Sequence, residues 1–70
     1  MIYLVSVKYY SIHSHHFCID SFNVEYDKKI TYENFKDFEG VVTNQLNEIT
    51  PDVASDYPPR VLSFSKLEEN

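Results

Sequence analysis

The sequence predicts an α+β fold of the order ββαβ, in which a three-stranded antiparallel sheet carries one helix across one face. Three stretches alternate apolar and polar residues with the period of a strand, two near the start of the chain and one near its end. The stretch before the last of them has the apolar spacing of an amphipathic helix. We favour the strand order 2-1-3, with the first strand in the centre, and expect the crossover from the second to the third strand over the helix to be right-handed.

The first predicted strand, residues 2–10, is the centre of the fold. β-branched and aromatic residues, which pack well on a pleated surface, alternate along one of its faces: Tyr3, Val5, Val7 and Tyr9. Ile2 and Leu4 make the opposite face apolar at one end. A strand that is apolar on both faces is more often central than at an edge, so we expect the other elements to pair with it or pack on it.

The second predicted strand, residues 16–26, follows a polar turn at residues 11–15. Its apolar residues change face along the strand, with two on one side and three on the other: Phe17 and Ile19, then Phe22, Val24 and Tyr26. A phase slip near Asp20 and Ser21 would bring both groups to one face, and a β-bulge is the usual way to insert the extra residue. The sequence therefore predicts a bulged edge strand.

The helix is predicted to begin with Thr31 as its N-cap and to end near residues 48–49. Ile30 can pack against Phe35 across this start as a hydrophobic staple. Apolar residues recur at intervals of three and four and form one stripe that predicts burial against the sheet: Phe35, Phe38, Val42, Leu46 and Ile49. Gly40 costs about 1 kcal/mol relative to alanine, and close packing, a tolerated flaw or contact with a partner could explain it.

A loop with three prolines, residues 50–59, leads to the third predicted strand, residues 60–67, and to a solvated tail at residues 68–70. Both faces of this strand carry apolar residues: Leu62 and Phe64 on one, Val61 and Leu67 on the other. The helix can cover only one face of the sheet, so the other face exposes apolar side chains. The sequence predicts a homodimer, through that face or the edge of the third strand, or display of the face to a target.

The length, charge and cysteine count limit the classes of function that we expect for this chain. A chain of 70 residues is expected to form one domain, and its 11 acidic against 6 basic residues give a net charge of −5. Such acidity argues against direct binding to nucleic acid and is either ordinary for a small domain or a purposeful acidic mimic. The opening has no basic region, and its apolar run is too short for an export signal or a membrane span. With a single cysteine, the chain is expected in the cytoplasm.

Four residues that could ligate a metal lie close together: His13, His15, His16 and Cys18. On an extended strand the first two point to one side and the last two to the other, and no second group of ligands completes a tetrahedral site. Catalysis by the cysteine or the nearby serines needs a base that faces the nucleophile, which neighbours in a strand rarely provide. The sequence therefore predicts no metal, no cofactor and no enzymatic activity.

Three segments carry a resemblance: the opening M-I-Y-L-V-S, the helix start I-T-Y-E-N-F and the ending V-L-S-F-S-K-L. Together they resemble small phage and prophage accessory proteins, which share the ββαβ layout and often finish in a similar strand. The segment S-I-H-S-H-H-F-C is not part of that pattern. The resemblance implies a phage origin and a non-catalytic accessory role, and it identifies no site residues.

We therefore expect a small acidic accessory protein that binds a host protein in the host cytoplasm and acts by steric occlusion or mimicry. Inhibition of a host defence system, anti-CRISPR in kind, is one concrete form. The alternative is a metal- or nucleic-acid-binding regulator that uses residues 13–18. Candidate contacts for a protein partner are exposed apolar and acidic side chains: Leu4, Tyr10, Glu33, Asp37 and Leu67.

Overall fold

The computed structural model describes residues 1–67 and confirms the predicted fold. In chain order its elements are β1 (Ile2–Ser11), β2 (His16–Glu25), α1 (Phe35–Ile49) and β3 (Arg60–Lys66). The strands form one antiparallel sheet in the order β2-β1-β3, and α1 packs on one of its faces. The tail predicted at residues 68–70 lies outside the described residues.

The core lies between β1 and α1. The predicted alternating residues of β1 are all buried, with 0–7% of each side chain exposed: Tyr3, Val5, Val7 and Tyr9. They meet Phe38, Val42 and Leu46 of the helix stripe, which are completely buried. Burying each aliphatic or aromatic side chain contributes about 1.5–3 kcal/mol, so this contact between strand and helix is the main source of stability. Ile49, the last predicted member of the stripe, is instead 53% exposed.

The predicted bulge in β2 is wrong, and the bulge lies in β3. All ten residues of β2 pair one to one with β1. No slip is needed, because each face of β2 is apolar at a different end of the strand. Phe17, near the start, lies on the face away from α1, and Val24, near the end, lies on the face toward α1. Along β3 the register shifts between Ser6 and Val7 of β1, which leaves Leu62 as the extra residue.

The bulge also changes the faces of β3. Phe64 pairs with Val5, and Val61 pairs with Val7, so both lie on the side that faces α1. The prediction that Val61 and Phe64 occupy opposite faces is therefore wrong. Strict alternation fails here because the bulge inserts one residue between them.

The helix begins later than predicted. Its first residue is Phe35, and Asn34 is the N-cap. Thr31 instead opens the turn before the helix: its N–H donates to Asn34 Oδ1 at 2.8 Å, and its Oγ1 accepts from the Asn34 N–H at 3.3 Å. These hydrogen bonds stabilise the turn and not the first turn of the helix. Thr31 therefore has the sequence pattern of an N-cap although no helix begins there. The predicted end near residues 48–49 is confirmed.

The loop at residues 50–59 pairs with the end of β1 rather than running free. The Ala54 N–H donates to the Tyr10 carbonyl oxygen, and the Ile12 N–H donates to the Asp52 carbonyl oxygen, both at 2.9 Å. The buried Ser11 hydroxyl also donates to Asp52 Oδ2 at 2.8 Å. These contacts fix the loop beside β1 and position the residues that follow it.

Candidate protein-binding face

The face of the sheet opposite α1 has no element packed on it within the described residues, and we call it the open face. On β1, the open face consists of the residues that alternate with the buried ones, and these are Ile2, Leu4, Ser6, Lys8 and Tyr10. Their partners on β2 are Glu25, Asn23, Ser21, Ile19 and Phe17. On β3 the corresponding positions are Ser65, Ser63 and Arg60. The open face is therefore built mostly from apolar, aromatic and hydroxyl side chains.

Three rings at one end of the open face form what we call the aromatic patch: Tyr10, Phe17 and Tyr57. The Tyr10 and Phe17 ring centroids lie 5.2 Å apart, and Tyr57 lies 5.1 Å from Tyr10 and 6.2 Å from Phe17. Phe17 and Tyr57 remain 51% and 53% exposed. Lys8 Nζ lies 4.8 Å from the centroid of the Phe17 ring, so a cation–π contact holds its ammonium group beside the patch.

The rest of the open face adds a second apolar area. Ile19, which pairs with Lys8, is 62% exposed beside the aromatic patch. At the other end of β1, Leu4 is 41% exposed. Between the two areas, the hydroxyls of Ser6 and Ser21 form a hydrogen bond at 2.9 Å. The face thus offers two apolar areas on either side of a polar strip.

Charge is distributed unevenly between the two sides of the sheet. The open-face positions hold three charged residues, Lys8, Glu25 and Arg60. Arg60 reaches around the edge, where its Nη1 lies 3.9 Å from Glu39 Oε1 of the helix. Asp20 and the acidic residues of α1 lie on the other side. Among the strands and the helix, acidity is therefore concentrated away from the open face.

The structure separates the predicted partner contacts into two groups. Leu4 and Tyr10 lie at opposite ends of the open face, and the half-buried Leu67 adjoins it, since its N–H donates to the Ile2 carbonyl oxygen at 2.8 Å. Glu33 lies in the turn before α1 and Asp37 lies in its first turn, on the other side of the sheet. A partner that covers only the open face would not contact Glu33 or Asp37.

Two tyrosine hydroxyls on the helix side are anchored to carboxylates. Burial, reinforced by a 3.0 Å hydrogen bond to Asp20, raises the pKa of Tyr9 to about 12. The 2.6 Å hydrogen bond that Tyr26 donates to Asp37, together with burial, raises the pKa of Tyr26 to about 12. Both hydroxyls stay protonated at neutral pH, and their hydrogen bonds tie β1 to β2 and the chain after β2 to α1.

The four candidate metal ligands do not converge. His13 and His15 lie in the turn, where His15 adopts a φ of 61°. His16 and Cys18 share the helix side of β2, with Nδ1 and Sγ 4.0 Å apart. Within residues 1–67, no three side chains of His, Cys, Asp or Glu are grouped so that they could hold a metal ion.

An open concavity of about 630 Å³ lies on the helix side, between the turn before α1 and the end of the sheet. Phe35 and Phe64 form its apolar wall, and Glu33 and Lys36 lie at its margin. Tyr32, also in its lining, is 99% exposed. Its exposed aromatic lining makes the concavity an apolar surface separate from the open face.

Sequence reasoning missed Tyr57 as part of the site. The residue stands in a loop without periodicity, so no pattern in the sequence assigns it to a face. It joins Tyr10 and Phe17 because the loop pairs with the end of β1 at Asp52 and Ala54. Phe17 was identifiable as an aromatic residue of β2, but its place opposite Tyr10 depends on the register.

The strand order and the packing of α1 define a small α+β domain in which, among residues 1–67, no helix or strand covers one side of the sheet. A scan against protein-family models, a search of curated proteins and a search of solved structures all return no match. Within residues 1–67, α1 is too short and too polar to cross a membrane.

Proposed function

We propose that the protein binds another protein through the open face. The observation that carries this proposal is the exposure of the aromatic patch, where Phe17 and Tyr57 each keep about half of their surface in solvent. Clustered aromatic residues are enriched at protein interfaces, because a rigid ring buries a large area at a small cost in conformational entropy. Contiguous exposed apolar areas of this kind commonly mark a contact surface.

A protein partner fits the open face better than a nucleic acid does. Nucleic-acid affinity comes largely from phosphate contacts, and the open-face positions hold only two basic residues, Lys8 and Arg60, on a chain with a net charge of −5. The rings of the aromatic patch also pack against one another, with Phe17 at 87° to Tyr10 and 75° to Tyr57. Such edge-to-face packing makes one continuous surface rather than separate platforms on which successive bases could stack.

The proposed mechanism is steric occlusion, in which a small domain covers part of its partner's surface and no bond is made or broken. The resemblance of the chain ends and helix start to phage accessory proteins favours a host protein as the partner. Inhibition of a host defence system is then one specific form of the same function. The single cysteine suits the reducing cytoplasm that this role implies.

The test compares two substitutions that add the same charge to exposed apolar positions on opposite sides of the molecule. Phe17→Lys changes the aromatic patch, and Ile49→Lys changes the end of α1, at positions that are 51% and 53% exposed. Each purified variant is immobilised and incubated with a bacterial lysate, and the retained proteins are identified by mass spectrometry. We expect a protein retained by the parent and by Ile49→Lys to be lost with Phe17→Lys.

Circular dichroism must show that both variants keep the fold of the parent. Leu4→Lys, at the other end of the open face, extends the test to the second apolar area. If folded Phe17→Lys and Leu4→Lys retain every protein that the parent retains, the open face is not the binding surface and the proposal is wrong.

A further inference from the structure

The two outer strands of the sheet each have one row of backbone N–H and C=O groups that points away from it. Such rows can pair with another strand, and proteins ordinarily protect them with prolines, lysines, bulges or covering groups. The two edges of this sheet are protected to very different degrees, and that difference indicates where a second chain can pair.

The β3 edge is protected in several ways. Pro58 and Pro59 precede the strand, and the bulge at Leu62 interrupts its regular geometry. The Val61 N–H already donates to Glu39 Oε2 of the helix at 3.1 Å. An added strand would have to displace that carboxylate and follow an irregular edge, so the structure disfavours the pairing through the third strand that the sequence suggested.

Within residues 1–67, the β2 edge lacks the proline, the bulge and the hydrogen bond from the helix that protect the β3 edge. It is ten residues long, contains no proline, lysine or arginine, and pairs with β1 without a shift. The bond from the Tyr26 N–H to the Met1 carbonyl oxygen fixes which residues point their backbone groups at β1. The alternate residues must then point outward: Phe17, Ile19, Ser21, Asn23 and Glu25. Within the described residues, the only contact to this row is His16 Nδ1, 3.2 Å from the Phe17 carbonyl oxygen.

We propose that β2 pairs antiparallel with β2 of a second copy of this chain and joins two sheets into one of six strands. The outward-pointing backbone groups of one strand must bond those of the other. Each of the alternate residues of one copy must therefore lie opposite one of the same set in the other copy. The two longest symmetric registers have Asp20 or Ser21 at the twofold axis. The first sets two carboxylates directly opposite, which is destabilising, so the axis passes through Ser21.

In this register, residues 17–25 of the two copies pair. Ile19 of one copy lies opposite Asn23 of the other, and Phe17 lies opposite Glu25. The five outward-facing residues of each strand exchange both backbone bonds with their partners, which gives about ten hydrogen bonds, as many as a typical protein interface has. The two open faces become one continuous surface.

Pairing through the edge is favoured over stacking of two open faces because it forms backbone hydrogen bonds and leaves the aromatic patch exposed. β1 and β2 have ten residues each and β3 has seven, so the sheet covers at most roughly 33 by 14 Å, or about 460 Å² per copy. A stable interface commonly buries about 800 Å² per partner. Stacking would therefore give a small interface and would hide the aromatic patch, whereas edge pairing leaves that patch free for the proposed partner.

The test places a cysteine at the predicted axis. In a Cys18→Ser background, Ser21→Cys would face its own copy at a Cα–Cα distance of about 5.5 Å, which suits a disulfide. Asn23→Cys is the matched control, because the two copies of residue 23 would lie about 14 Å apart. Under mild oxidation we expect Ser21→Cys to form a covalent dimer on a non-reducing gel, while Asn23→Cys stays monomeric.

The parent protein should show twice the 8.3 kDa mass of one chain in light scattering. Ile19→Pro should halve the measured mass without unfolding the chain, because the amide that it removes points outward and makes no bond to β1. A monomeric parent, or equal cross-linking of Ser21→Cys and Asn23→Cys, would overturn the inference. A monomer that still loses its lysate partner with Phe17→Lys would leave the proposed function standing.

Discussion

Replacing Phe38 with alanine should remove a large part of the stability of the fold. The Phe38 side chain is completely buried. Its ring centroid lies within 5.2–5.6 Å of three other rings, from the sheet and from the chain after β2: Tyr3, Tyr26 and Phe64. Because those rings come from different parts of the chain, the cavity left by the substitution cannot close by moving one side chain.

The expected loss follows from this environment. A buried phenylalanine replaced by alanine costs about 3–5 kcal/mol, and a chain of 70 residues has a total stability of about 4–10 kcal/mol. At this size each kcal/mol lowers the Tm by about 4–8 °C. Phe38→Ala should therefore lower the Tm by roughly 12–40 °C or leave the chain unfolded at room temperature.

Thermal and urea unfolding, followed by far-ultraviolet circular dichroism, measure this loss. Phe17→Ala is the matched control, because it makes the same chemical change at a position that is 51% exposed. Its cost should stay below about 1.5 kcal/mol. If Phe38→Ala melts within a few degrees of the parent, or no lower than Phe17→Ala, the assignment of the core between β1 and α1 is wrong.

Two further substitutions test the helix and the anchored hydroxyls. Gly40→Ala should raise the free energy of unfolding by about 0.5–1 kcal/mol in urea titrations, because a Cβ at Gly40 meets no atom within 4 Å; a destabilised variant would contradict this. The raised pKa of Tyr26, about 12 against an ordinary 10.0, means that the folded chain holds this proton more tightly than the unfolded chain does. Its contribution is therefore complete below pH 10 and is lost as the pH rises from 10 toward 12. Tyr26→Phe should show a shallower decline of the urea midpoint across that range than the parent, and equal declines would refute the role of the Asp37 contact.

The order of the elements and the central place of β1 were predictable, because the alternation from Tyr3 to Tyr9 is unbroken and the stripe through Phe38 has a clear period. The bulge was assigned to the wrong strand for a physical reason. In β2 the change of apolar face reflects two half-apolar faces of a straight strand. In β3 the bulged residue is Leu62, which follows another apolar residue, Val61, so the pattern does not show which of the two is extra. No glycine at this point indicates a bulge either.

The candidate site was predictable in part. Leu4 and Tyr10 follow from the face that β1 turns away from the helix. Tyr57 depends on long-range hydrogen bonds between the loop and the end of β1, which leave no periodic signal. The choice between the two sheet edges likewise depends on the Glu39 carboxylate, whose reach to Val61 is a property of the folded chain.

β3 is the strand that joins the sheet last along the chain, and none of its residues, all within the described range, is buried. β1 and β2 are linked by a short turn, and such hairpins form in about 1–10 μs. Bringing β3 to β1 closes a much longer loop, which costs more chain entropy. We therefore expect local openings to release β3 first, and deuterium exchange at the Ser63 amide should be faster than at the Phe22 amide; the reverse order would contradict this. While β3 is released, β1 can pair with the β3 of a neighbouring molecule instead. We therefore expect misassembly of this chain to occur by exchange of β3 between molecules, which is a domain swap.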